Sequence, residues 1–200
     1  MSKSRWIQAA TIMPPTIKVA GYKLLPFCIR HRVGLTAVKS PVLSIEKEIT
    51  PNDLLLALRI LSTHNLNDIR KPWTLREQFL LGYYNFHKIN FIKAVSKLVT
   101  YFDAQSLWPK FWESDKKSKA SCIPWELTVI AGLTRNGISL EEAYTMPEAD
   151  AVWLYFAHMK AEGAEIHIIT DEEEKAMKEY EEYKRKLNEI APKQKPSKPL

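Results

Sequence analysis

The chain has 200 residues, 46% of them hydrophobic, a net charge of +6 and a pI of about 9.2. That is enough for one domain or two small ones with a real core. Only six glycines argue against a turn-rich all-β fold and against phosphate-cradling loops, and two distant cysteines, Cys28 and Cys122, cannot make a disulfide framework.

The charge is uneven. Residues 1–45 hold Lys3, Arg5, Lys18, Lys23, Arg30, Arg32 and Lys39 and no acid. Such a front suits nucleic acid, an anionic lipid surface or an acidic partner. No dense Lys/Arg cluster forms, and a solvated surface is the plainer reading. The first 13 residues lack the apolar run of a signal peptide, and no stretch approaches the roughly 18 apolar residues that cross a bilayer. The expectation is a reduced, cytoplasmic chain with no membrane contact.

Residues 1–16 read as a flexible arm, because Met13-Pro14-Pro15 blocks a helix. Residues 17–25 alternate in part around Gly21 and read as a small hairpin or one bent strand. Pro26 ends that run, and Phe27, Val33, Ala37 and Val38 have helical spacing. Thr50-Pro51-Asn52-Asp53 is a helix start, and the LLLALRIL that follows is apolar nearly all round, which places it at the centre of a bundle. After a connector over 65–73, Thr74 and Glu77 form a second capping pattern. They open a run to about Asp103, breakable at Gly82 or within Phe86–Asn90. Its expected apolar side is Phe79, Tyr83, Phe86, Phe91, Val95, Leu98, Val99 and Phe102.

Residues 104–121 change character, with aromatic Leu107–Trp112 followed by a polar Ser/Lys stretch, and read as a linker. A helical unit over 122–170 follows. Two helices meet at Asn136-Gly137, Ser139 and Glu142 make a capping box, Pro147 opens a third helix and Gly163 stops it. Residues 165–169 are β-branched and could pair with 17–25. Thr170 and Glu173 cap a charged helix over 171–190, laced by Glu174/Lys178, Glu181/Arg185 and Glu182/Lys186. The tail 191–200 is too polar and proline-rich to fold alone. The expected fold is therefore mainly α, a helical bundle over 17–103 and 122–170. It carries a small two-stranded β element made of 17–25 with 165–169.

No residue pattern points to catalysis, metal or cofactor. Cys28 and His31 are one helical turn apart, but a closed zinc site needs about four ligands, and a buried thiol beside a surface imidazole is the plainer reading. Cys122 precedes a helix and lacks a neighbouring base. The acids Glu141, Glu142, Glu148 and Asp150 lie in first helical turns, where the dipole favours them. A helix-turn-helix would put Pro147–Trp153 in the DNA groove, and its two acids would repel phosphate. Large rings remain: Trp108, Phe111, Trp112, Trp125 and Trp153 are the candidate partner-binding residues, since aromatic side chains anchor interfaces.

One resemblance adds to this reading. Leu24-Leu25-Pro26-Phe27, then Ile49–Ser62 (ITPNDLLLALRILS) and Pro124–Gly163 with its Leu140-Glu141-Glu142-Ala143 short helix, follow in an order that resembles small helical proteins encoded in the tail-gene region of tailed bacteriophages. More loosely, it resembles phage tail assembly chaperones. It spans roughly residues 17–175 as a pattern of helix punctuation. It implies a non-enzymatic helper, in the host cytoplasm, that binds the helical tape-measure protein or another tail protein during tube assembly. A nucleic-acid-binding or regulatory helical domain is the alternative. The basic arm at 1–16 is not explained by the resemblance.

Overall fold

The computed structural model describes residue 7 and residues 17–44, 48–110, 123–166 and 168–190. Over these the chain is mainly helical with one small antiparallel sheet. Strands β1 (Lys18–Val19) and β2 (Tyr22–Lys23) form a hairpin, with Lys18 opposite Lys23 and Val19 opposite Tyr22. Ala20 and Gly21 turn the chain with φ of 50° and 80°. Two central residues at positive φ match the right-handed twist of the strands, and glycine takes the second without a steric cost. The expected pairing of 17–25 with 165–169 is therefore corrected: the hairpin satisfies itself locally. The 165–169 stretch reaches the chain after the fourth helix instead, where the Ile169 N–H donates to the Lys110 carbonyl at 2.8 Å.

Helix α1 (Ile29–Ala37) follows, and α2 (Pro51–Leu61) runs through the middle of the first half. Thr50 and Asp53 close a reciprocal capping box at its start. Leu54, Leu55, Ala57, Leu58, Ile60 and Leu61 are all buried, which is what an all-round apolar helix requires. A 3₁₀ turn at Leu66–Arg70 leads to α3 (Leu75–Phe86), capped by Thr74 and Glu77, and α4 (Lys88–Gln105). The long run breaks at His87, inside the second expected window.

Beyond residue 122 come α5 (Trp125–Arg135), α6 (Leu140–Thr145), α7 (Glu148–Ala161) and α8 (Asp171–Ile190). Buried side chains fall into two clusters. One gathers Val19, Phe27, Leu35, the α2 side chains, Tyr84, Leu98 and Tyr101. The other gathers Ile29, Val129, Ile130, Leu133, Ala143 and Ala151. Helix α1 serves both, since Leu35 points into the first and Ile29 into the second. The seam between them is pinned at the start of α1. There the Glu148 N–H donates to the Phe27 carbonyl at 2.8 Å, Cys28 bridges Pro147, and Arg32 forks onto Glu148.

Candidate functional site

Two places stand out, and each begins with a side chain that is not where composition alone would put it. The first is the outer face of α3 and α4. Leu75, Phe79 and Phe86 are spaced 4 and 7 apart on α3, so they share one side of that helix. Ile89, Ile92 and Val99, spaced 3 and 7 apart, do the same on α4. All six are exposed, from 50% at Val99 to 86% at Phe86. Three of them, Phe79, Phe86 and Val99, were expected inside. The reason is Glu77. Its carboxylate is buried against Arg59 of α2, whose Nε donates to Oε1 at 2.9 Å, while Arg59 Nη1 donates to the Lys71 carbonyl at 2.7 Å. That pair sets which side of α3 faces the core, so Glu77 and Tyr84 go in and the phenylalanines go out. The break at His87 then resets the phase, and α4 buries Ala94, Leu98 and Tyr101 instead. A groove of about 550 Å³, lined by Glu48, Ile49, Pro51, Tyr84, Lys88, Phe91, Ile92 and Val95, takes in Ile92 of the α4 stripe and none of the α3 stripe. Lys88, Lys93 and Lys97 are exposed along α4.

The second place is the start of α1. Cys28 occupies the cap position ahead of the helix, fully buried, and His31 lies one turn on, also fully buried. His64, just past the end of α2, stacks its ring on His31 with centroids 5.1 Å apart and planes 11° from parallel. Cys28 Sγ and His64 Nδ1 are 3.8 Å apart. One donor atom from each of Cys28, His31 and His64 lies within 4.8 Å of the other two. His31 Nε2 is 3.1 Å from the Thr63 carbonyl, and Nδ1 is buried with no partner at hydrogen-bonding geometry. Burial pushes the Cys28 thiol up to about 11, so it is protonated near neutrality. Burial, and then the neighbouring His64, lower His31 to about 4; the Thr63 and Pro26 carbonyls pull the other way without reversing it. Burial and the Arg30 charge also lower His64. Both imidazoles are therefore neutral at pH 7. Beside His64 a pocket of about 630 Å³ opens between Arg30, Val33, Asn65, Leu66, Asn67 and Tyr144. Arg30 donates to both Glu141 carboxylate oxygens, at 2.8 and 2.6 Å.

No protein family, curated protein or solved structure matches the chain. The site must be read from its own chemistry.

Of the tryptophans singled out in the sequence, Trp108, Trp125 and Trp153 come together at the seam between the two clusters. Trp108 meets Trp125 edge to face at 5.0 Å, and the Arg32 guanidinium lies over both rings and over Phe27. The Trp153 indole N–H donates to the Leu107 carbonyl at 2.8 Å. Trp125 keeps 37% of its surface in solvent. Phe111, Trp112 and Cys122 lie outside the described residues, as do most of the arm at 1–16 and the tail at 191–200. The amino end of α7 is not free to enter a nucleic-acid groove. Glu148, Ala149, Ala151 and Val152 are buried, and Glu148 is held by Arg32. Two cations of the basic front, Arg30 and Arg32, are thus spent on Glu141 and Glu148. Sequence reasoning gave Glu148 a dipole role at a helix start. Nothing local distinguishes such an acid from one buried in a long-range pair. His31 was expected at the surface. The C-x-x-H spacing was visible, but His64 joins it only through the packing of α1 on α2.

Proposed function

We propose that this chain is a non-enzymatic protein-binding module that receives an amphipathic helix on the α3–α4 face. The observation that carries the reading is the pair of exposed stripes, Leu75-Phe79-Phe86 on α3 and Ile89-Ile92-Val99 on α4, on either side of the His87 break, with Ile92 also lining a groove. Six large apolar side chains left in solvent on two successive helices mark an interaction site more often than a solvent face. Helical ligands dock their apolar sides into such grooves through residues spaced three, four and seven apart. The lysines along α4 favour a ligand helix whose flanks are acidic. The specific reading is a tail assembly chaperone that shields the long helical tape-measure protein of a tailed bacteriophage, as the sequence resemblance implies.

The test is co-expression with the neighbouring tape-measure protein, followed by size-exclusion chromatography. A stable complex is expected, with the tape-measure protein kept in solution. Phe79→Ser with Phe86→Ser should abolish it while leaving the far-UV circular dichroism unchanged, because both rings already face solvent. A complex that forms equally well with the double variant would rule out this face, and no complex at all would rule out the chaperone reading.

A further inference from the structure

The geometry points to a binding site for one zinc-class divalent ion at Cys28, His31 and His64. The argument starts from the donors. A thiol sulfur and two imidazole nitrogens form a set that suits zinc and other borderline ions, and the trio lacks the oxygen donors that magnesium or calcium requires. Bonds of about 2.3 Å to sulfur and about 2.0 Å to nitrogen put donor atoms roughly 3.3–3.6 Å apart around a tetrahedral ion. Cys28 Sγ and His64 Nδ1 are already at 3.8 Å, and no pair in the trio exceeds 4.8 Å. Binding draws these donors together by up to about 1 Å, and the two imidazoles, stacked 11° from parallel, must turn so that both lone pairs meet the ion.

The surroundings fit as well. His31 Nε2 is placed to donate its hydrogen to the Thr63 carbonyl, which leaves Nδ1 with its lone pair. A histidine ligand ordinarily gives its second nitrogen to such an acceptor, fixing tautomer and ring orientation. That nitrogen is buried with no partner at hydrogen-bonding geometry, the Pro26 carbonyl acting on the ring only from outside that geometry, and its desolvation is a cost that an apolar side chain of similar size would avoid. The Arg30 charge is balanced by Glu141, so it does not stand unpaired beside the ion. On binding, the Cys28 S–H bond breaks, its proton leaves to solvent and a metal–sulfur bond forms; the imidazoles, already neutral, lose nothing. Three protein ligands leave a fourth position, and His64 borders the pocket through which water or a small anionic group would reach it.

The experiment uses the full chain in a Cys122→Ser background, so that any thiolate signal belongs to Cys28. Chelator-treated protein is titrated with Zn(II), and in parallel with Co(II) for spectroscopy. One ion per chain is expected, with a thermal midpoint that rises with zinc concentration. The cobalt form should show a thiolate-to-metal charge-transfer band and the visible bands of a tetrahedral ion. Cys28→Ser should remove the charge-transfer band. His64→Ala, at a half-buried position that the fold tolerates, should weaken zinc binding at least tenfold, whereas His158→Ala should change nothing. Absence of saturable binding, or an affinity and cobalt spectrum that both survive His64→Ala, would overturn the site.

Discussion

At the scale of single residues, the most consequential side chain is Glu77, because it decides the orientation of α3 and is ionised in a dry place. Burial alone would raise its pKa. Hydrogen bonds from Arg59, Tyr22 and Thr74 outweigh that and bring it from 4.5 down to about 2. A carboxylate depressed in the folded state adds stability above its unfolded pKa and loses it as pH falls through the folded one. The window is therefore pH 4.5 to 2, and the shift corresponds to roughly 3 kcal/mol. Urea unfolding at pH 7 and pH 3 should show this loss in the wild type. Glu77→Gln should flatten most of it, while costing about 3–5 kcal/mol at pH 7 because Arg59 is left buried without its counter-charge. Equal slopes for the two proteins across that window would mean that the acid sensitivity comes from other carboxylates. None of this was visible in the sequence. There Glu77 looked like the third residue of a capping box, which it is, and the second duty to Arg59 depends on a contact across 18 positions.

At the scale of elements, the packing of α5 on α7 sets two effects against each other at one glycine. Gly132 lies inside α5, where alanine would be favoured by about 1 kcal/mol on helix propensity. A methyl group there would lie 2.5 Å from the Tyr155 ring of α7. Overpacking of that kind costs about 1–3 kcal/mol, so Gly132→Ala should destabilise on balance. In a Tyr155→Ala background the clash is gone and the same change should stabilise. A double-mutant cycle by thermal or urea unfolding reads the change of sign directly; the same sign in both backgrounds would refute the packing argument. The contrast shows what was legible. Helix starts were readable because they are local. Thr50, Thr74 and Thr170 all cap as the sequence indicates, and Asn136-Gly137 ends α5, with Gly137 at φ of 88°. Ser139 makes half of its box, accepting from the Glu142 N–H at 3.2 Å. The faces were not readable, because a stripe of large rings on α3 looks identical whether it meets a core or a partner.

At the scale of the molecule, the question is whether the two buried clusters unfold together. Helix α1 feeds both, and the buried fork of Arg32 onto Glu148 is a polar tie across the seam. Burial raises the Glu148 pKa, and the Arg32 charge works against that, so the carboxylate depends on its partner to stay ionised. The second cluster is small, with Val129, Ile130 and Leu133 as its largest buried aliphatic residues beside Ile29 of α1. A core of that size has little surplus over chain entropy and relies on its attachment to the first. Breaking the tie should therefore do more than lower stability. Glu148→Gln should cost about 3–5 kcal/mol, as removal of one partner of a buried pair does. It should also separate the transitions. With Trp6, Trp73, Trp108 and Trp112 replaced by Phe in both proteins, fluorescence of Trp125 and Trp153, which sit on the second side of the seam, should change at lower urea than far-UV circular dichroism, which reports the helices of both clusters. In the wild type the two probes should coincide. Coincident curves in the variant as well would mean that α1 alone couples the clusters, and that Arg32 and Glu148 only fill the space between them.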